Sequence, residues 1–346
     1  MMHERNKIHP FTLLLPMVTS LADTGKALSI FMKAACVRCI CHRNPDGDAI
    51  GSLLGIGLLI ERAFPDKEVT FHCVDPVPES FLFLPAAFRV QRAPILKPDD
   101  VIVFVDCAVP KMTEMHETHP QLFDGSHQTV WIDHHPGPAN FATANLVRST
   151  AASTCEIITD LTKEWNWSLT PDIATCLLTG IFTDTGGLLH SNTSSHVYRT
   201  VARLMREGGR RQEVVDTIYR KQQLSTLRLW GRVLEKISLT EEGGAVSAVT
   251  EGDFRSTGAD YAELTGAIDY VNAVPGMRFS MVLSERDGKV KGSIRTLRDD
   301  VDVAEMAGKF HGGGHKRAAG FAIPGKLKPE FRWKVVEETP PEETGK

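Results

Sequence analysis

Trp131-Ile132-Asp133-His134-His135-Pro136 places an Asp-His-His triplet where the apolar run 128–132 meets the turn formers Pro136, Gly137 and Pro138. A short run without charge, ended by proline and glycine, reads as a strand buried on both faces of a parallel sheet. Three ionisable side chains at the end of such a strand burden a core unless a site uses them. Open α/β sheets build their sites beyond the carboxyl ends of strands. The triplet therefore predicts both a layered α/β fold and the edge of that fold where chemistry happens.

The rest of the chain agrees with this reading. Residues 37–41, 69–74 and 101–105 read as further strands, and 22–35 has helical spacing through Leu28, Phe31 and Met32. Residues 49–64 carry Ile50, Leu53, Leu54, Ile56, Leu58, Leu59 and Ile60 at helical spacing and stop at Pro65. Strands alternating with helices from 37 to about 190 predict right-handed crossovers and a Rossmann-like α/β domain. The pattern is mainly helical over 195–235, including 197–206 and 212–219. Glu241-Glu242-Gly243-Gly244 reads as a boundary. Beyond it, 245–250, 279–284 and 290–295 alternate like strands, the last two joined by the hairpin turn Arg286-Asp287-Gly288. The expected organisation is an N-terminal extension and helix over 1–35 and a parallel-sheet domain over 36–240. A smaller α+β domain follows over 245–335, then a disordered acidic tail over 336–346.

At 346 residues with a formal charge of −4, the chain suits two domains and lacks the basic balance that holds long nucleic acid. Short phosphate-bearing ligands need only a local positive site. The seven cysteines are odd in number and mostly lie in apolar runs, which predicts reduced thiols in a cytoplasmic protein. Cys36-x-x-Cys39 has no second such pair, and Cys39 and Cys41 alternate along a strand, so a zinc or redox role is not expected. Residues 11–17 are too short, and too closely flanked by Pro10 and Pro16, to act as a signal peptide. No apolar run reaches the roughly 20 residues of a membrane helix.

Two divalent ions about 3.5–4 Å apart need several oxygen donors, a few nitrogens and one carboxylate able to bridge. His42 closes the strand 37–41 and precedes Asp46-Gly47-Asp48, a turn that can send one carboxylate to each ion. Asp48 also suits the N-cap of the helix beginning at Ala49; donors at three other places in the chain favour ligation. Asp106 follows five apolar residues, the natural place for a bridge. Asp184 sits within Thr179-Gly180-Ile181-Phe182-Thr183-Asp184-Thr185-Gly186-Gly187. His134 and His135 can both face the site because the chain turns there, one ligating and the other meeting substrate or a proton. This donor set favours Mn²⁺, with Mg²⁺ or Co²⁺ as alternatives, over thiolate-bound zinc. Hydroxide activated by the ions would attack phosphorus directly.

His42-x-Asn-Pro-Asp46-Gly-Asp48-Ala-Ile-Gly-Ser52, the strand-end Asp106, Asp133-His134-His135 and Thr-Gly-Ile-Phe-Thr-Asp184-Thr-Gly resemble the ordered motifs of the DHH phosphoesterase superfamily. Gly312-Gly313-Gly314-His315-Lys316-Arg317-Ala318-Ala319-Gly320-Phe321 resembles the signature of the DHH-associated C-terminal domain. The nearest branch is that of nanoRNase/pAp phosphatases. The resemblance implies that His42 and Asp46 hold one metal and Asp48, His134 and Asp184 the other, with Asp106 bridging. It also implies that His135 contacts the scissile phosphate or assists proton transfer. Asp133 would orient a histidine.

Gly313 and Gly314 offer backbone N–H groups to an anion, His315 follows, and Lys316-Arg317 adds charge. Arg295 resembles the family arginine and suits bidentate phosphate capture. An active-site cleft between the domains, closing over substrate, would select short strands. Gly51-x-x-x-Gly55-x-Gly57 reads as close helix packing, not a phosphate loop. The expected activity is hydrolysis of short oligoribonucleotides or dinucleotides to mononucleotides, with 3′-phosphoadenosine 5′-phosphate (pAp) phosphatase activity. A cyclic-dinucleotide phosphodiesterase and a RecJ-like single-strand exonuclease are the alternatives. A non-catalytic nucleotide sensor would have lost metal ligands, and all six are present. A homodimer is compatible with the sequence but established by no residue in it.

Overall fold

The computed structural model describes residues 21–135 and 141–328, so the extension before residue 21, the Pro136–Pro138 turn and the acidic tail fall outside the described residues. The chain divides into two units, Met1–Lys221 and Gln222–Lys346.

The first unit is built on a six-stranded, wholly parallel sheet. Its strands are β1 (Cys36–Ile40), β2 (Glu68–His72), β3 (Val90–Gln91), β4 (Val101–Val105), β5 (Gln128–Asp133) and β6 (Ala144–Val147), in the order β3-β2-β1-β4-β5-β6. That order reverses direction between β1 and β4, which opens a crevice at their carboxyl ends. Alternate residues divide the sheet between two cores. Val37, Cys39, Val103, Val105, Val130 and Ile132 belong to the larger core, which the helices complete. These are α1 (Leu21–Lys33), α2 (Gly47–Ala63), α3 (Thr154–Glu164), α4 (Pro171–Asp184), α5 (Ser195–Arg206) and α6 (Arg211–Tyr219). On the opposite face Ile40, Ile102, Phe104 and Trp131 pack with Met115 and Leu122. There the connection from β4 to β5 holds only the short 3-10 turns Pro110–Thr113 and Pro120–Leu122.

The glycines of α2 are spacers. A Cβ at Gly51 would lie 2.5 Å from the Cys176 carbonyl oxygen, and Leu177 and Phe71 fill the space beside Gly55 and Gly57. This is the close packing that the sequence suggested.

The second unit carries α7 (Leu224–Glu235), β7 (Ser238–Leu239), β8 (Gly244–Val249), α8 (Glu251–Thr257), α9 (Ala267–Asn272), β9 (Phe279–Arg286), β10 (Lys289–Arg295), α10 (Val303–Gly308), β11 (Gly313–His315) and β12 (Ala318–Pro324). Its sheet runs β11-β12-β10-β9-β8-β7 and is antiparallel except for the β8–β9 pair. Leu229 and Val233 of α7 share a core with Val249, Phe254 and Val271, so this helix packs with the second unit rather than the first. Asp287 and Gly288 both have positive φ (51° and 71°), as the tight β9–β10 hairpin turn requires. Among the described residues no helix is long and apolar enough to cross a membrane.

Candidate metal centre

His42 lies just past β1, Asp106 just past β4 and His134 just past β5, so the crevice between β1 and β4 gathers them. Helix α2 starts in the same crevice. Its N-cap is Asp46, whose Oδ1 accepts the N–H groups of Asp48 and Ala49, both at 3.0 Å. The sequence had offered Asp48 for that position. The helix begins two residues earlier, at Gly47, which frees Asp48 to turn inward, where it is fully buried. Asp184 arrives from the carboxyl end of α4.

Six side chains form two triads whose donor atoms lie within 4.8 Å of one another: His42, Asp46 and Asp106, and Asp48, His134 and Asp184. In the first, His42 Nε2 is 3.5 Å from Asp106 Oδ2 and 3.9 Å from Asp46 Oδ1. In the second, His134 Nε2 is 3.2 Å from Asp184 Oδ2 and 4.0 Å from Asp48 Oδ2. Asp106 joins them. Its Oδ2 faces His42, and its Oδ1 lies 3.6 Å from His134 Nε2. The residue adopts φ of +56°, a left-handed conformation that costs a non-glycine residue energy, of order 1–3 kcal/mol.

The histidines are held from behind. His42 Nδ1 donates to the Arg43 carbonyl at 2.7 Å, which orients the ring with Nε2 toward the carboxylates. Asp133 Oδ1 accepts from the His134 backbone N–H at 2.9 Å and from His135 Nδ1 at 2.8 Å.

The electrostatics are those of a cluster with too much negative charge in too little water. Burial and the Asp106 charge push the Asp48 carboxyl well above its usual range. Burial opposes the Asp106 charge as well, but His42, His134 and His135 hold that carboxyl below the usual range. Burial disfavours charge on His42, yet Asp106 and Asp46 raise it to about 10. His135 rises against burial to about 9, chiefly through Asp133. Burial lowers His134, keeping it neutral as ligation needs. Carboxylates and imidazoles with no thiolate among them suit a hard or borderline divalent cation, and two such cations would relieve the crowding. The donor set therefore fits the metals that the sequence suggests.

Sequence reasoning missed what lies opposite. The N-terminus of α3 donates two backbone N–H groups to Asp48, and Thr154 Oγ1 donates to Asp106 Oδ1 at 3.1 Å. The pattern Ser153-x-x-Glu156, with Ser153 as N-cap, was the available signal. A separate cluster, Glu156, Asp160 and His196, was also missed; Arg148 Nη2 pairs with Asp160 at 2.8 Å.

In the second unit the glycine-rich segment is not an open loop. Gly313-Gly314-His315 forms β11, the edge strand paired with Gly320, Ala319 and Ala318. A Cβ at Gly312 or Gly314 would strike β12, at 2.2 Å from the Gly320 oxygen or 2.6 Å from the Ala318 oxygen, whereas Gly313 is exposed with nothing within 4 Å. Close strand packing thus explains two of the three glycines. Arg317 pairs with Asp299. Arg295 ends β10, half-buried, opposite Ala318.

Residues 36–181 match the DHH family N-terminal domain, and residues 242–339 match the DHHA1 domain. The bifunctional oligoribonuclease and PAP phosphatase NrnA of Thermus thermophilus is 32% identical over 288 residues, covering 82% of this chain and 83% of its own. The chain belongs to the DHH family. Its namesake triplet is Asp133-His134-His135. The Bacillus subtilis protein of the same description is 25% identical over 285 residues, covering 82% of this DHH chain and 87% of its own. An exopolyphosphatase-related protein from Bacteroides fragilis shares the DHH protein's fold, with a TM-score of 0.81 at 23% identity over 91% of this chain and 94% of that one.

Proposed function

We propose that this protein is a divalent-metal-dependent phosphoesterase that hydrolyses short oligoribonucleotides or dinucleotides to mononucleotides and also dephosphorylates pAp. The observation that carries the reading is the pair of donor triads meeting at the two oxygens of Asp106. Relatives named for both activities, matched over most of the chain, supply the substrate class.

His42 and Asp46 would hold one ion and Asp48, His134 and Asp184 the other, with Asp106 shared; Mn²⁺ is the first choice, with Mg²⁺ or Co²⁺ as alternatives. Bound together, the ions supply Lewis acidity that lowers the pKa of water and neutralises phosphate charge. His135, held by Asp133, meets the scissile phosphate or passes a proton to the leaving oxygen. Asp133 Oδ1 accepts from His135 Nδ1 and favours charge on that imidazole, the form a proton donor needs. Asp133 itself touches no substrate and fixes the ring. In the second unit Arg295, Gly313, Gly314 and His315 bind a substrate phosphate, the guanidinium by two parallel hydrogen bonds. Selection of short substrates, a cytoplasmic location and a homodimer belong to the same reading.

A second reading, cleavage of cyclic dinucleotides, has one observation in its favour. The cyclic-di-AMP phosphodiesterase PdeA of Listeria monocytogenes is 25% identical over 79% of this chain, although the match spans only 42% of that protein. Mononucleotide release from a diribonucleotide, a 24-mer RNA, pAp and cyclic di-AMP, with Mn²⁺ or EDTA, separates the two. Fastest turnover of the diribonucleotide, lost in EDTA and in Asp106→Ala, is expected. Turnover of cyclic di-AMP alone would favour the second reading, and turnover persisting in EDTA would defeat both.

A further inference from the structure

The segment 151–155, leading into α3, contacts Asp48 and His134 directly and reaches Asp184 through Asn192. The Ala151 backbone holds the ring of His134. Asn192 Nδ2 donates to the Ala152 carbonyl at 3.3 Å and to the Asp184 carbonyl at 3.1 Å. Thr154 and Cys155 donate their N–H groups to Asp48 Oδ2 and Oδ1, at 2.6 and 3.0 Å. The segment is itself pinned, since buried Glu156 Oε2 accepts the Ala152 N–H at 2.6 Å.

Within it, Thr154 is the one residue that grips two of the ligands. Its N–H goes to Asp48, and its hydroxyl goes to Asp106 Oδ1, the oxygen facing the second triad. The residue is fully buried, so water cannot replace that hydroxyl. A carboxylate can rotate about its Cβ–Cγ bond, and a carboxylate that offers one oxygen to each of two ions needs that rotation fixed. The Thr154 hydroxyl holds Oδ1 toward the second triad, which leaves Oδ2 turned to His42.

We propose that Thr154 is a positioning residue for the metal centre, fixing the Asp106 carboxylate so that the Asp48–His134–Asp184 site can bind its ion. This rests on the metal reading above. Its bonds go to Asp48 Oδ2 and to Asp106 Oδ1, the bridge oxygen on the side of His134, so its loss falls mainly on the ion of the second triad. Partners standing behind metal ligands commonly change affinity by about 10–100-fold.

The test is calorimetric titration of EDTA-stripped protein with Mn²⁺, in the absence of substrate, for wild type, Thr154→Val and Thr154→Ser. Thermal unfolding in EDTA shows that each variant is folded. Wild type is expected to bind two ions. Thr154→Val should keep one near wild-type affinity and bind the other about 10–100-fold more weakly; Thr154→Ser, which keeps the hydroxyl, should recover most of the loss. Two ions bound equally well by wild type and Thr154→Val would overturn the proposal and leave the metal reading standing. So would equal weakening of both ions, or a serine variant as impaired as the valine. A wild-type chain that takes up no divalent ion would defeat the metal reading itself, and this proposal with it.

Discussion

Replacing Gly180 with alanine should destabilise the protein and weaken its metal binding, although helix propensity alone argues the opposite. Gly180 lies inside α4, where alanine is favoured over glycine by about 1 kcal/mol. The added Cβ would fall 2.3 Å from Cys155 Sγ, 2.4 Å from Asp48 Oδ1 and 3.0 Å from Asp48 Cα. Ordinary contacts need about 3.5 Å or more, so something must move by roughly 1 Å. Cys155 and Asp48 are both fully buried, and the helices that carry them are packed against α4, so neither side chain has room to retreat. Overpacking of this kind costs about 1–3 kcal/mol, which exceeds or cancels the propensity gain. The displaced atom is the Asp48 oxygen that accepts the Cys155 N–H at 3.0 Å, one of the proposed metal donors, so the second triad should suffer with the fold. Urea unfolding in EDTA measures the first effect and Mn²⁺ titration the second. A Gly180→Ala protein more stable by the full propensity gain, with unchanged Mn²⁺ affinity, would refute the reasoning.

Asp133→Asn keeps the shape of the side chain but removes the charge behind His135; turnover should fall about 10–100-fold with two ions still bound, by initial rates and calorimetry side by side. His72, buried in β2, has its pKa lowered to about 4 by burial and by Arg38. Because its folded pKa lies below the unfolded value of about 6.5, it has no effect above that pH; stability is lost as pH falls from there toward 4. The loss approaches roughly 3 kcal/mol at the lower end. Urea denaturation of His72→Gln in EDTA should therefore show a flatter decline than wild type between pH 7.5 and 5, and parallel curves would count against it.

Where sequence and structure agree, the information is local. Residues 101–105 announce a buried strand by composition, and Asp133-His134-His135 announces the site by its expense. The pairing of Asp46 with His42 is visible within five residues of chain. What sequence does not carry is the long-range part. Thr154 meets Asp48 across 106 residues and Asp106 across 48, and a buried threonine at a helix start looks like any other. The identity of the α2 cap depends on where the helix begins, which composition leaves open by two residues. The three glycines at 312–314 suggest an anion-binding loop, but two are glycine because β12 lies against them, and only pairing reveals that. Helix α7 has apolar spacing suited to either unit, and the core it joins becomes plain only once Leu229 and Val233 meet Phe254.

The central claim is that two ions sit on either side of Asp106. Anomalous diffraction at the manganese edge, from crystals grown with Mn²⁺, tests it most directly. Two peaks about 3.5–4 Å apart are expected, one against His42 and Asp46, the other against Asp48, His134 and Asp184, both bonded to Asp106. A single peak, or two peaks that do not share Asp106, would contradict the account.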